Sequence, residues 1–225
     1  MLLFWLWPNF STGFGNFFWA NVLGDSFCPK GDGLTFVDEI LVKVNKTTPI
    51  PEDYIPKDLT KIPKNIRTTK SICLKQEVLG PLALMFQDAE KDNIFLAVTS
   101  GFRSKNTQAN LYKALFAIKG EKAQDRIAMP LHSEHHLGTT MDLSGQSIDY
   151  LSASDLFTGT AEDTWLRANA YKYGFVMSYP ESKTKITGYD FEPWHYRFVG
   201  IDVAKKIFDG KITLEEYLDS LTNEA

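Results

Sequence analysis

Hydrophobic and polar positions repeat along the chain with the two periods that are typical of helices and strands. Apolar residues recur at helical spacing over 75–91 and over 105–119, which predicts two amphipathic helices whose Met and aromatic positions lie in the core. Pro81 interrupts the first pattern, so we expect the helix proper to begin near Gly80. Shorter helical patterns cover 163–172, 202–209 and 213–221.

Strand-like segments lie between these helices. Strand-like runs occur at 94–100, 141–143, 175–177 and 195–199, and the first of them is rich in residues that favour strands. Helices and strands mix without the regular alternation of a parallel sheet. The pattern therefore predicts an α+β fold with a small, largely antiparallel central sheet flanked by helices.

Two local signals refine this picture. Thr213 and Glu216 have the spacing of a capping box, which predicts a helix start at residue 213. The segment 45–56 contains three prolines, and both proline and the residue before it resist helix. We expect this segment, here called the strap, to be extended and to lie over the core.

The first 24 residues are rich in Phe and Trp, but Pro8 and Gly13 break the apolar run and no Lys or Arg precedes Lys30. A secretory signal would open with basic residues, and a membrane span needs a longer uninterrupted run. The sequence leaves two interpretations of this segment open: a degenerate export or membrane-contacting segment, or a packed extension of the domain. We therefore expect an N-terminal extension at 1–35 and a single domain at 36–225.

Composition narrows the function classes. The chain has 225 residues and a formal net charge of −4, so it lacks the basic footprint of a nucleic-acid-binding protein. Its two cysteines, Cys28 and Cys73, are too few for a disulfide framework and do not have zinc-binding spacing. A disulfide in an exported protein and two small buried thiols are equally compatible with the sequence.

All four histidines lie in two short stretches, 131–142 and 192–197. A catalytic zinc ion takes three ligands from His, Asp or Glu and leaves one position for water. His135, Asp142 and His195 supply this set if the strand at 141–143 lies beside the strand at 195–199. Glu192 then lies close enough to act as a general base without binding the metal.

Arg103 follows the predicted strand at 94–100, and Gln108 begins the next helix. An arginine at a strand end can bind a carboxylate with two parallel hydrogen bonds. A structural salt bridge is the alternative for Arg103, and a surface acid beside a core histidine is the alternative for Glu192 and His195.

Taken together, these motifs resemble the zinc-dependent D-alanyl-D-alanine carboxypeptidases of the VanY type and their LD-carboxypeptidase relatives. The resemblance covers about residues 40 to 210. It rests on Ser-Gly-Phe-Arg-Ser at 100–104, Ser-Glu-His-His-Leu-Gly at 133–138 with Asp142, and Glu-Pro-Trp-His-Tyr-Arg at 192–197. Ser178 departs from the pattern, because an arginine often precedes Tyr-Pro in this family.

The resemblance implies the small α+β zinc-peptidase fold, called Hedgehog/DD-peptidase-like, with one catalytic Zn²⁺. It implies that His135, Asp142 and His195 bind this ion and that Glu192 is the catalytic base. Its other implied contacts are with the substrate, through Arg103, Gln108 and Ser133. By this resemblance His132 and His136 are not ligands, and Trp194 and Arg197 are scaffolding.

The same resemblance implies that the enzyme removes the terminal D-alanine of a peptidoglycan stem peptide. Three alternatives stay open: an LD-carboxypeptidase acting on tetrapeptide stems, an endopeptidase of the phage-lysin kind, and a zinc-stabilised cell-wall-binding module. The substrate class implies a cell-envelope, extracytoplasmic location. We expect a monomer without nucleic-acid partners, with membrane contact open for the aromatic N-terminal segment.

Overall fold

A computed structural model describes residues 28–33 and 40–223 of the chain. Strands β1 (Leu59–Lys61) and β2 (Cys73–Lys75) form an antiparallel pair. A second sheet contains β3 (Leu96–Ser100), β4 (Thr140–Gly145), β5 (Phe175–Met177) and β6 (His195–Phe198). Its strand order is β3-β4-β6-β5, and every pairing in it is antiparallel. The predicted α+β class with an antiparallel central sheet is confirmed.

Five of the helices lie close to the ranges that the periodicity predicts, and the short helix Thr184–Thr187 was not predicted. They are α1 (Gln76–Lys91), α2 (Lys105–Lys119), α3 (Ala161–Asn169), α4 (Thr184–Thr187), α5 (Ile201–Gly210) and α6 (Leu214–Asn223). The capping box is confirmed, because Thr213 Oγ1 accepts from the Glu216 amide at 3.0 Å and the Glu216 carboxylate accepts from the Thr213 amide at 2.7 Å.

The predicted start of α1 is wrong, because the helix begins at Gln76 and contains Pro81 in its interior. Val78 and Leu79 are buried ahead of the proline and pack into the main core. Their burial explains why the helix extends through the proline, since tertiary packing commonly overrides the local preference of one residue.

Helix α2 also departs from expectation. Its apolar positions do not form a core face, because Gln108 is the buried residue of this helix while Phe116 and Ile118 are 41% and 80% exposed. Leu111 and Leu115 instead line the large cleft described below. The amphipathic pattern of this helix therefore faces a cleft rather than the interior.

The strap takes neither helix nor strand conformation and packs against the histidine-rich loop at 131–138. Val44 and Ile50 form a small apolar cluster with Leu137, and the Ile50 amide donates to the carbonyl of Leu131 at 2.9 Å. The residues just before the strap are held by α6, because Lys43 pairs with Glu215 at 3.1 Å. The expected covering role of the strap is confirmed.

Cys28 and Cys73 form a disulfide with a Cα–Cα distance of 5.7 Å. The sequence left open whether these cysteines form a disulfide or remain two buried thiols, and the structure shows the disulfide. It ties residues 28–33 to β2, which itself pairs with β1. A structural disulfide is typical of proteins that mature in an oxidising compartment.

We expect Cys28→Ser to lower the free energy of unfolding by about 4 kcal/mol, because the bond closes a loop between cysteines 45 residues apart. The melting temperature should fall by about 10 °C. Thermal denaturation with and without a reductant checks this. Reductant should destabilise the wild-type protein and leave the variant unchanged. Equal melting temperatures of the two proteins without reductant would contradict the prediction.

The described residues contain no helix long and apolar enough to cross a membrane. The aromatic segment 1–24 lies outside the described residues, as does most of the predicted extension at 1–35. The boundary between that extension and the domain at 36–225 therefore stays a prediction.

Candidate active site

The central sheet brings Asp142 and His195 together. They are direct Cα partners in the antiparallel pairing of β4 with β6. The predicted metal site requires these two strands to be neighbours, and the pairing confirms that they are. His135 comes from the short 3₁₀ turn at Glu134–Leu137, immediately ahead of β4.

Gly138 makes the turn between His135 and β4. It ends the 3₁₀ turn with φ 70° and ψ 1°, a left-handed conformation that favours glycine. A Cβ atom at this position would lie 2.7 Å from Leu59 Cδ2. The loop needs glycine here for both reasons.

Three potential ligand atoms converge beside the sheet. His135 Nε2 lies 3.3 Å and His195 Nδ1 3.4 Å from Asp142 Oδ1, and the three atoms all lie within 4.8 Å of one another. Tetrahedral zinc with ligands at about 2.05 Å requires ligand atoms about 3.3 Å apart. Asp142 Oδ1 is buried without a hydrogen-bond partner among the described residues, as expected for an oxygen directed at a cation. These residues fit zinc.

The other nitrogen of each histidine is occupied, which fixes the tautomer that can bind metal. His135 Nδ1 donates to the Gly101 carbonyl at 2.8 Å, leaving the Nε2 lone pair for a ligand bond. His195 Nε2 donates to the Glu134 carboxylate at 3.0 Å, leaving the Nδ1 lone pair. Histidines that bind metals usually have such partners.

Glu134 is a residue of this site that the sequence analysis did not single out. Besides His195, it accepts from Arg197 Nη1 at 2.9 Å and from Ser178 Oγ at 2.6 Å. The sequence of β6 contains a clue to this role. Side chains two apart on a strand share a face, so Arg197 lies on the same face as His195. A buried arginine there requires an acid, and Arg197 contacts the Glu134 carboxylate, which is hydrogen-bonded to the predicted ligand His195.

Electrostatics at the site favours a bound cation. Burial would raise the pKa of Asp142, but His135 and His195 outweigh burial and hold the pKa well below its usual value. Burial and then the charge of Arg103 lower the pKa of His135 to about 4, so its imidazole is neutral. Burial lowers the pKa of His195, yet Asp142 and Glu134 raise it to about 10. The two carboxylates that favour a proton on His195 also attract a divalent cation.

Glu192 lies at the edge of the ligand cluster. Its carboxylate is 3.5 Å from His195 Nδ1, and its amide donates to the Tyr179 carbonyl at 3.0 Å. Burial raises the pKa of Glu192 to about 7, against the opposing charge of His195, and repulsion from Asp142 adds to the rise. A carboxylate with a pKa near neutrality is well suited to accept and return a proton at physiological pH.

Arg103 enters the same site from the loop after β3. Its Nη2 lies 3.6 Å from Asp142 Oδ2, and the guanidinium donates to Gln108 at 2.8 Å and to Ser100 at 3.1 Å. Gln108 is fully buried and donates in turn to the Ala128 carbonyl at 2.6 Å. Gln108 thus orients Arg103. Its predicted contact with substrate stays a prediction.

The remaining histidines lie outside the ligand cluster. His136 uses both ring nitrogens in the loop, since Nδ1 donates to the Arg103 carbonyl at 2.6 Å and Nε2 accepts from the Leu131 amide at 3.1 Å. His132 Nδ1 donates to the Asn45 carbonyl at 2.7 Å, which joins the histidine loop to the strap.

One cleft of about 430 Å³ contains every predicted site residue, and its lining comprises Arg103, Gln108, Ser133, His135, Asp142, Glu192 and His195 among others. Ser133 is 3% exposed, and its hydroxyl accepts from the His135 amide at 3.3 Å. Tyr179 also lines the cleft, with its ring centroid 4.6 Å from that of His195. The residues predicted from the sequence come from three distant segments, 103–108, 133–142 and 192–195, and the fold brings them into one cavity.

Comparison with known proteins places this architecture in a family. Residues 71–201 match the family model VanY, described as D-alanyl-D-alanine carboxypeptidase. The protein YodJ of Bacillus subtilis (strain 168) is 38% identical over 199 residues, which cover 85% of this chain and 72% of YodJ.

Solved structures agree with this assignment. The LD-carboxypeptidase LdcB has a TM-score of 0.74 and 38% identity, covering 89% of this chain and 95% of that chain. A variant of the vancomycin resistance D,D-pentapeptidase VanY, solved in complex with Zn(II), has a TM-score of 0.68 and 31% identity, covering 80% of this chain and 99% of that chain. This chain therefore belongs to the VanY family of D-alanyl-D-alanine carboxypeptidases.

Proposed function

We propose that this protein is a zinc-dependent D,D-carboxypeptidase that removes the C-terminal D-alanine from peptidoglycan stem peptides. The observation that carries the proposal is the position of Arg103. Its guanidinium lies 3.6 Å from the carboxylate of Asp142, a proposed ligand, in the cleft that holds His135 and His195. A peptide whose terminal carboxylate binds Arg103 has its last peptide bond next to the metal ligands. This arrangement favours an exopeptidase.

His135, Asp142 and His195 would hold the ion. Zinc bound there supplies a Lewis acid that polarises the scissile carbonyl and makes water more acidic. Glu192 accepts a proton from the attacking water as the new C–O bond forms. Glu192 then returns this proton to the amine of the departing D-alanine as the C–N bond breaks. Arg103 holds the terminal carboxylate throughout.

We expect Arg103→Lys to lower kcat/KM for a pentapeptide substrate about 10- to 100-fold, mainly through KM. Lysine keeps the charge but loses the planar fork, and a hydrogen bond to a charged group contributes about 1.5–3 kcal/mol. Steady-state kinetics on the free acid and on the C-terminal amide of the same peptide check this role. The wild-type enzyme should strongly prefer the acid, and the preference should shrink in the variant. An unchanged preference would contradict a carboxylate contact.

Mass spectrometry of muropeptides tests the reaction itself. Incubation with the zinc-loaded protein should remove the fifth residue of pentapeptide stems, and a chelator should stop this. Loss of the fourth residue from tetrapeptides would instead establish LD-carboxypeptidase activity, which the likeness to LdcB makes the second candidate. Cleavage inside the stem would indicate an endopeptidase.

A zinc-stabilised binding module is the non-enzymatic alternative. Such a module has no need of a general base or of a buried arginine beside its metal. This chain keeps Glu192 and Arg103, both in contact with the ligand cluster. Intact muropeptides after prolonged incubation with the zinc-loaded protein would favour the module.

The proposed activity requires access to peptidoglycan, so we place residues 36–225 as one domain outside the cytoplasm. The disulfide between Cys28 and Cys73 supports an oxidising compartment. We also propose a monomer, and for the N-terminal extension at 1–35 a role as an export or membrane-contacting segment, with a packed extension as the alternative. Cell fractionation, N-terminal sequencing of the mature protein and light scattering test these three statements.

A further inference from the structure

We propose that Glu134 and Arg197 are positioning residues that couple the metal ligand His195 to the segment Ile40–Val42. Zinc binding and the order of this segment would then depend on each other. This inference rests on the zinc site of the proposed function. It adds that the site is stabilised by contacts with the segment Ile40–Val42, which is distant from the metal ligands in the sequence.

The first link joins His195 to Glu134. An imidazole binds metal through Nδ1 only when its proton is on Nε2. The 3.0 Å contact between His195 Nε2 and Glu134 requires that proton, because a carboxylate oxygen accepts hydrogen bonds. Both side chains are about 5% exposed, so water does not replace this contact. Glu134 therefore selects the tautomer that binds the ion.

The second link joins Glu134 to Arg197. One carboxylate oxygen of Glu134 accepts from Arg197 Nη1 at 2.9 Å, and the other accepts from Ser178 Oγ at 2.6 Å and from His195. A buried carboxylate is costly unless it is paired and fully hydrogen-bonded. Arg197 provides the compensating charge and fixes the orientation of the carboxylate plane.

The third link joins Arg197 to the segment Ile40–Val42. Arg197 is among the fully buried side chains, and its Nη2 donates to the carbonyls of Ile40 at 2.8 Å and of Val42 at 2.6 Å. The Arg197 guanidinium thus hydrogen-bonds both to Glu134, the partner of His195, and to the backbone of a segment about 155 positions away. The planar fork of arginine makes both sets of contacts at once, which lysine does not.

These three links have a thermodynamic consequence. If zinc fixes His195, and His195 fixes Glu134 and Arg197, then zinc also favours the bonded form of Ile40–Val42. By reciprocity, loosening this segment must weaken zinc binding by the same factor. A purely local support for His195 would not show this second effect.

Zinc affinity tests the first two links. We expect Glu134→Gln to weaken zinc binding about 10- to 100-fold, as is typical when the partner of a metal-bound histidine is lost. The amide NH₂ of glutamine must face either His195 or Arg197, and both of these are donors. Competition with a chromophoric chelator measures the affinity. Glu162→Gln is the matched control, because Glu162 is also a buried acid but binds Ser147 instead.

A milder variant guards against misfolding of Glu134→Gln. Ser178→Ala removes the hydrogen bond from one uncharged donor to Glu134 and leaves those from His195 and Arg197, so it should weaken zinc binding about 2- to 10-fold. Wild-type affinity in Glu134→Gln, or in Ser178→Ala if Glu134→Gln does not fold, would overturn the positioning role. If the wild-type protein itself binds no zinc, the proposed function fails first, and the two failures are thus distinguishable.

Hydrogen exchange tests the third link. In the wild-type protein, zinc should slow exchange of the peptide that covers residues 40–48. This slowing should be lost in Arg197→Lys, which keeps a positive charge beside Glu134 but cannot also hold both carbonyls. It should persist in the Glu162→Gln control. Equal exchange of the wild-type peptide with and without zinc would overturn the coupling.

Discussion

A Glu192→Gln variant should bind zinc as tightly as the wild-type protein and release D-alanine from a pentapeptide about 1,000-fold more slowly. General-base catalysis by a positioned side chain typically contributes about 100- to 10,000-fold. Glutamine has nearly the same shape but cannot accept and return a proton. Because Glu192 is not one of the three converging ligands, the metal site should survive the change.

Two measurements separate this role from a structural one. Zinc content by elemental analysis should be unchanged, and kcat should fall while KM stays close to the wild-type value. A variant with wild-type turnover would contradict the assignment of Glu192 as the base. A variant that loses zinc would show that Glu192 supports the metal.

The second large effect concerns the ion itself. His195→Ala should abolish stoichiometric zinc binding and with it the activity. The loss of affinity should exceed the 10- to 100-fold that is typical of losing an outer partner, because one of three protein ligands is removed and the buried Glu134 loses the hydrogen bond from His195.

His132→Ala is the matched control for His195→Ala, since His132 lies outside the ligand cluster and bonds the strap. It should retain one zinc ion per chain. Full zinc occupancy of the His195→Ala protein by elemental analysis would contradict the ligand set. Loss of zinc from both variants would indicate general unfolding, which circular dichroism detects.

Much of the fold could be predicted from the sequence because burial of one face of a helix or strand spaces the apolar residues periodically along the chain. The strands at 175–177 and 195–199 alternate or run apolar because they lie inside a covered sheet. The predicted metal ligands were recognisable for a different reason. Three residues of the two types His and Asp, both suited to zinc, occur close to glycine turns and strands, where a fold brings distant segments together.

Other features depend on tertiary contacts that no local pattern encodes. The pairing of Cys28 with Cys73 follows from a Cα–Cα distance, and the spacing of two cysteines in a chain does not report that distance. The apolar face of α2 has helical period, yet period does not distinguish a face on the core from one on a cleft.

Glu134 was missed for a similar reason. In the sequence, Glu134 is simply a polar residue next to the predicted ligand His135. Its role depends on a contact with Arg197, which lies 63 residues away. The alternation along β6 indicates that Arg197 is buried and therefore needs an acidic partner. The identity of this partner depends on how the histidine loop packs against the sheet.

The pairing of Asp142 with His195 across β4 and β6 gives the ion a role in cohesion as well as in chemistry. An ion held by two neighbouring strands and a preceding loop is a reversible cross-link of the central sheet. Its contribution follows mass action, so each tenfold rise in zinc above the dissociation constant adds about 1.4 kcal/mol to the folded state. The free zinc concentration in the surroundings would thus set the stability of the folded protein as well as its activity.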